Sequence, residues 1–83
     1  MLKSSQMEKF QVIKNGIVFE LDPEEEGGFT ITAPSLPGCI SYGKTIDEAL
    51  EMIKDAMRGW VEVAKEEDID IPEEVEKAVF VTH

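Results

Sequence analysis

The sequence predicts an α+β fold of one domain: a three-stranded antiparallel meander, one long helix packed on it and a C-terminal strand, in the order β-β-β-α-β. Three observations carry that expectation. Ile17-Val18-Phe19-Glu20-Leu21 and Phe29-Thr30-Ile31-Thr32 alternate with period two, as strands with one buried face do. Leu50, Ile53, Met57, Trp60 or Val61, and Ala64 recur at three- and four-residue steps, the apolar stripe of an amphipathic helix. Near the end, Val75, Lys77, Val79 and Val81 alternate with Glu76, Ala78, Phe80 and Thr82, which fits a terminal strand.

Taken in order, residues 1–5 are polar enough to be a frayed tail and receive no element. Residues 6–16 carry two signals. Met7, Phe10 and Ile13 share a helical face, whereas Phe10 and Val12 alternate and Asn15-Gly16 is a two-residue hairpin signature. A hairpin arm here would occupy the side of the Ile17–Leu21 strand that the terminal strand needs, which leaves a hairpin arm and an N-terminal helix capped at Asn15-Gly16 both open. Asp22-Pro23-Glu24-Glu25-Glu26-Gly27-Gly28 turns the chain into the second strand, Gly28 to Ala33. Pro34-Ser35-Leu36-Pro37-Gly38 then removes two backbone donors and supplies a residue free to take positive φ, which makes a corner. Cys39-Ile40-Ser41-Tyr42 resumes extended structure. Thr45 and Glu48 have the spacing of a capping box, starting a helix from Ile46 to about Glu67. Gly59 is anomalous inside that helix, at a cost of about 1 kcal/mol against Ala. Either the helix weakens there or something packs closely on its backbone.

Gly27-Gly28-Phe29, then Pro34-Ser35-Leu36-Pro37-Gly38-Cys39, then Gly43-Lys44-Thr45-Ile46-Asp47-Glu48-Ala49-Leu50 is similar in order and spacing to the N-terminal domain of HicB-type antitoxins. The resemblance covers residues 17–67, and the helix-first arrangement it implies for short members favours the N-terminal helix ending at Asn15-Gly16. It implies a protein that binds and neutralises a small basic HicA-like ribonuclease toxin. Many members of that family continue into a DNA-binding domain that represses their own operon, and this chain ends at His83 without one, so direct operator binding is not expected. The β-β-β-α-β order also resembles half of a ribonuclease H fold, but fold alone does not import that family's carboxylate and metal chemistry.

Composition narrows the partner. Eighteen acidic against eight basic residues give a net charge of −10, which repels phosphates and anionic membranes and favours basic proteins. Lys9, Lys14, Lys44, Lys54 and Arg58 are scattered among acids and form no basic stripe. A lone Cys39 excludes an internal disulfide and, with no signal-peptide core, suits the cytoplasm. The one histidine is the terminal residue and the one cysteine sits in apolar company, so no nucleophile–base set, metal ligand set or cofactor motif can be assembled, and no enzyme activity is expected. A carboxylate-dependent nuclease and a free-standing oligomer of unknown ligand are the alternatives.

The candidate partner-binding residues are Glu24, Glu25 and Glu26, Tyr42 and Trp60. The plain alternatives are a solvated acidic turn and a tryptophan covering the edge of the core. A domain this small buries a modest share of its surface, so at least a homodimer is expected, with the strand edge at Val75, Val79 and Val81 as its contact.

Overall fold

Phe10–Lys14 (β1), Ile17–Pro23 (β2), Phe29–Thr32 (β3) and Ile40–Gly43 (β4) form one sheet in the order β1-β2-β3-β4, antiparallel throughout. Ile46–Glu66 (α1) and Glu73–Phe80 (α2) follow. The structure is a computed structural model and describes residues 8–80. The α+β class and the long helix on the sheet agree with expectation. The meander has four strands, and the last element among the described residues is a helix.

The N-terminal helix is corrected first. Asn15 and Gly16 both take positive φ, 54° and 80°, as the central residues of a two-residue hairpin turn must, and Lys14 pairs with Ile17 across it. Local turn chemistry therefore decides the segment, and β1 fills the place beside β2 that a terminal strand would have taken. The expected start of that helix, at residues 6 and 7, lies outside the described residues.

The C-terminal strand is corrected for a related reason. With β2 paired on both sides, residues 73–80 bury apolar area as a helix, placing Val75 and the partly buried Ala78 three apart on one face. Pro72 begins it, its carbonyl accepting from the Val75 and Glu76 amides at 3.0 Å, while Glu73, Glu74 and Glu76 sit at the positive end of the dipole. Val75 is fully buried, so it offers no strand edge to a second copy. Val79 lies in the helix, and Val81 is outside the described residues. The half-ribonuclease-H arrangement loses its last strand with this change.

One face of the sheet carries the core. Ile17, Phe19 and Leu21 of β2 and Ile31 of β3 pack under Ala49, Ile53, Met57 and Val61 of α1, with Val75 of α2 closing one side. Phe10 meets Phe29 edge to face, 6.0 Å between centroids at 87°. On the opposite face Ile13, Val18 and Tyr42 remain exposed.

Helix α1 begins as its sequence suggests. The Thr45 hydroxyl accepts from the Glu48 amide at 3.0 Å, and the Glu48 carboxylate accepts from the Lys44 amide at 2.7 Å, one residue earlier than in the usual box. Its end is a Schellman motif: the Ile69 amide donates to Ala64 O at 2.7 Å and the Asp68 amide to Lys65 O at 3.3 Å. Asp68 occupies the left-handed position at φ 62° where glycine is usual.

Candidate partner-binding site

Two surfaces at opposite ends of β4 contain the residues singled out from the sequence. At the Tyr42 end, the β2–β3 turn is tied by a Glu24 amide that donates to Gly28 O and a Gly27 amide that donates to Glu24 O, both at 3.0 Å. The Glu24 carboxylate accepts from Thr30 Oγ1 at 2.6 Å, and Tyr42 donates its hydroxyl to Gly27 O at 2.9 Å. Gly28 lies directly under the Tyr42 ring, at φ 85°, so a side chain there would meet both strain and overlap. Glu24 and Tyr42 thus hold the turn, while Glu25 and Glu26 stand exposed at its tip. The structure brings these four residues together and leaves Trp60 apart from them.

Trp60 belongs to the other end. Its indole N–H donates to Pro37 O at 3.0 Å, joining α1 to the corner between β3 and β4. That corner is built as a pair of turns, in which the Leu36 amide donates to Ala33 O at 2.9 Å and the Cys39 amide to Leu36 O at 3.0 Å. Gly38 takes φ 83°, the positive value expected of it, and Leu36 turns inward to full burial. Between this corner and the second half of α1 lies an open groove of about 540 Å³, lined by Pro37, Ile40, Gly59, Trp60, Val63 and Ile69 over a floor that includes Cys39 and Ala64.

The groove was not legible as such. Its signal was Gly59 beside Trp60. The helix runs unbroken through Gly59, and a Cβ built there meets no atom of the described residues within 4 Å, so nothing among them needs a glycine at that position. Trp60 is half-buried, a core-edge residue that also forms one wall.

Cys39 is buried, and burial pushes its thiol up from the ordinary range, which leaves it protonated and poorly nucleophilic near neutrality. Among the described residues no three His, Cys, Asp or Glu side chains converge as a metal site. No charged side chain among them is buried either, so the acidic excess lies on the surface.

Comparison with known proteins gives this surface a context. A family model described as the HicB-like antitoxin of a bacterial toxin–antitoxin system matches residues 17–81. The chain belongs to the HicB-like antitoxin family. Curated relatives of this HicB-like chain include a UPF0150 protein of Thermoplasma acidophilum, 38% identical over 58 residues that make up 70% of this chain and 84% of the relative. A UPF0150 protein of Archaeoglobus fulgidus is 42% identical over 53 residues, 64% of this chain and 74% of its own. Antitoxin HicB 1 of Photorhabdus laumondii is 40% identical over 52 residues, 63% of this chain but 34% of that longer protein. No solved structure matches. The family accounts for an antitoxin role and implies a toxin as partner. In addition, no helix among the described residues is long and apolar enough to cross a membrane.

Proposed function

We propose that this HicB-like chain is an antitoxin that neutralises a small basic HicA-like ribonuclease toxin by direct contact in the cytoplasm, acting as a binding protein without catalysis of its own. The observation that carries this reading is the charge distribution: a net charge of −10 with no charged side chain buried among the described residues. Such a surface attracts a basic protein over long range and repels the toxin's RNA substrate. Masking the toxin's RNA-binding face requires complementarity of sign, and the chain supplies it. Glu25 and Glu26 at the exposed turn are well placed for the first encounter, where rim charges act on association rate more than on final affinity.

The test is direct. The chain is mixed with a purified HicA-like toxin, and RNA cleavage and complex formation are followed together. Cleavage should fall in proportion to the antitoxin added, and association should slow as the Debye length shrinks from about 10 Å at 0.1 M salt to about 3 Å at 1 M. Undiminished cleavage with no complex at micromolar concentrations would remove the proposal.

Self-association is a separate reading, favoured by the exposure of Ile13, Val18 and Tyr42 on the uncovered sheet face. With the terminal strand replaced by a helix and Val75 buried, this face takes the place of the strand edge as the expected contact between copies. Light scattering should give at least a dimeric mass at about 100 µM, a concentration that populates an interface of micromolar affinity. A monomer there would end it.

A further inference from the structure

We propose that the groove between α1 and the Pro37–Ile40 corner is the seat of a basic amphipathic helix supplied by the toxin. This rests on the antitoxin reading and deepens it by naming the surface and the chemistry of what enters. Three features of the groove select that occupant. Its lining is apolar, with Ile40, Val63 and Ile69 about half exposed or more in the free chain, 58%, 54% and 50%. A row of such side chains beside a helix suits the apolar face of a second helix, anchored at three- and four-residue steps.

The second feature is Gly59. It sacrifices helix stability at a position where an added Cβ would meet open space, and so leaves the backbone of α1 bare along the groove wall. The packing of the described residues gains nothing from that bareness. An incoming helix gains a closer approach.

The third feature is the sign of the rim. Among the described residues no charged one lines the groove, and beside it on α1 run exposed acids at helical spacing, with Arg58 and Lys65 as the bases of the same stretch. Asp55 precedes Gly59 by four residues, Glu62 follows it by three, and Glu66 and Glu67 follow Val63 by three and four. Arg58 is turned to Asp55, 3.7 Å away in an exposed pair that holds little energy. Where α1 ends, Asp68 and Asp70 add to the negative end of the helix dipole. Lysine or arginine flanking the occupant's apolar stripe would meet this rim favourably. A second copy of the chain, with the same acidic flank, would set like charges against each other, which is why the groove is assigned to a partner of opposite sign.

Gly59→Gln is the informative variant. It places a long side chain across the groove and replaces glycine by a better helix former, so its denaturation midpoint should rise and any loss of binding cannot be ascribed to unfolding. Val63→Glu adds a like charge to the same wall, and Lys77→Gln, on the exposed side of α2 and outside the groove lining, is the control. Toxin affinity should drop at least tenfold for Gly59→Gln and Val63→Glu and stay within twofold for Lys77→Gln. If the toxin binds wild type and Gly59→Gln equally well, the groove assignment is overturned while the antitoxin reading stands.

If the toxin does not bind wild type at all, the antitoxin reading falls and the groove is judged by peptides. A synthetic helical peptide of leucine and lysine, with a leucine–glutamate peptide of the same apolar face as its counterpart, is titrated against Trp60 fluorescence. A spectral shift with the lysine peptide that Gly59→Gln abolishes supports a basic occupant, and no shift overturns it. A wild-type dimer that Gly59→Gln converts to a monomer would also overturn it, by showing that a second copy fills the groove.

Discussion

Gly43→Ala is a change of one methyl group that should cost this domain about 2 kcal/mol. The glycine ends β4 directly beneath the first turn of α1, and a Cβ built on it overlaps the backbone of Ala49 and comes within 2.7 Å of the Glu48 carbonyl carbon. These are backbone atoms fixed by the Thr45–Glu48 cap on one side and by the fully buried Ala49 on the other, so they cannot move aside as a flexible side chain would. Overpacking of this kind costs about 1–3 kcal/mol. For a domain of this size each kcal/mol lowers the midpoint by about 4–8 °C, so the central value corresponds to a fall of about 8–16 °C. Thermal denaturation followed by circular dichroism reads it, with Gly59→Ala as the matched comparison. The same chemical change in open space inside α1 should raise stability by about 1 kcal/mol. A Gly43→Ala midpoint equal to wild type, or movement of both variants in the same direction, would refute the reasoning that space and not glycine itself decides these positions.

Asp68→Gly should stabilise by about 0.5–1 kcal/mol in urea denaturation, because it relieves a left-handed residue at φ 62° and removes a negative charge from the negative end of α1. Gly38→Val should destabilise by more than about 1 kcal/mol in the same assay, through the strain of a β-branched residue at φ 83° and not through contact, since none of the described residues lies within 4 Å of its Cβ position. Cys39 sets an alkaline limit. Its thiol pKa is raised in the folded state by burial, so its contribution is fully present below the unfolded value near 9 and is lost as pH rises through the folded value. Stability measured from pH 7 to 11 should therefore fall less steeply above about pH 9 in Cys39→Ala than in wild type, whatever the offset between them.

Much of the central fold was readable because several signals agreed at once. From Phe29 to Val61, alternation, corner residues, capping box and helical stripe point to one arrangement, and the structure has it. Agreement across levels of this kind is what lets a short sequence specify a fold. At the ends topology and local chemistry point in different directions. Asn15-Gly16 signals a hairpin strongly, whereas the edge of β2 reserved for a strand at residues 75–81, together with the helix-first arrangement that the resemblance implies, points to a helix cap. That reserved strand rested on alternating valines, yet Val75 and Ala78 fit a helical face equally well over so short a run. Glu73 and Glu74 after Pro72 already carried the helix-start signature.

The site was less legible for a different reason. Glu24 and Tyr42 look like exposed functional groups in the sequence, and their partners, Thr30 and Gly27, become visible only once the turn is folded. Conversely, the groove is assembled from Pro37, Gly59 and Ile69, which are far apart in sequence and each unremarked by periodicity. Gly59 alone left a trace, as a residue whose cost had no internal compensation.

The order of pairing in the sheet also permits the strands to form in sequence during synthesis. Every strand bonds to its neighbour in the chain, so the four can zip from the N-terminus as they leave the ribosome, with short loops to close and no wait for distant sequence. What they form is a half-finished layer with Ile17, Phe19, Leu21 and Ile31 facing water. Only the later appearance of α1 covers that layer, and α2 then seals its margin with Val75. The nascent chain is therefore most adhesive in the interval between Gly43 and the completion of α1, and a ribosome paused there would hold out an uncovered apolar sheet.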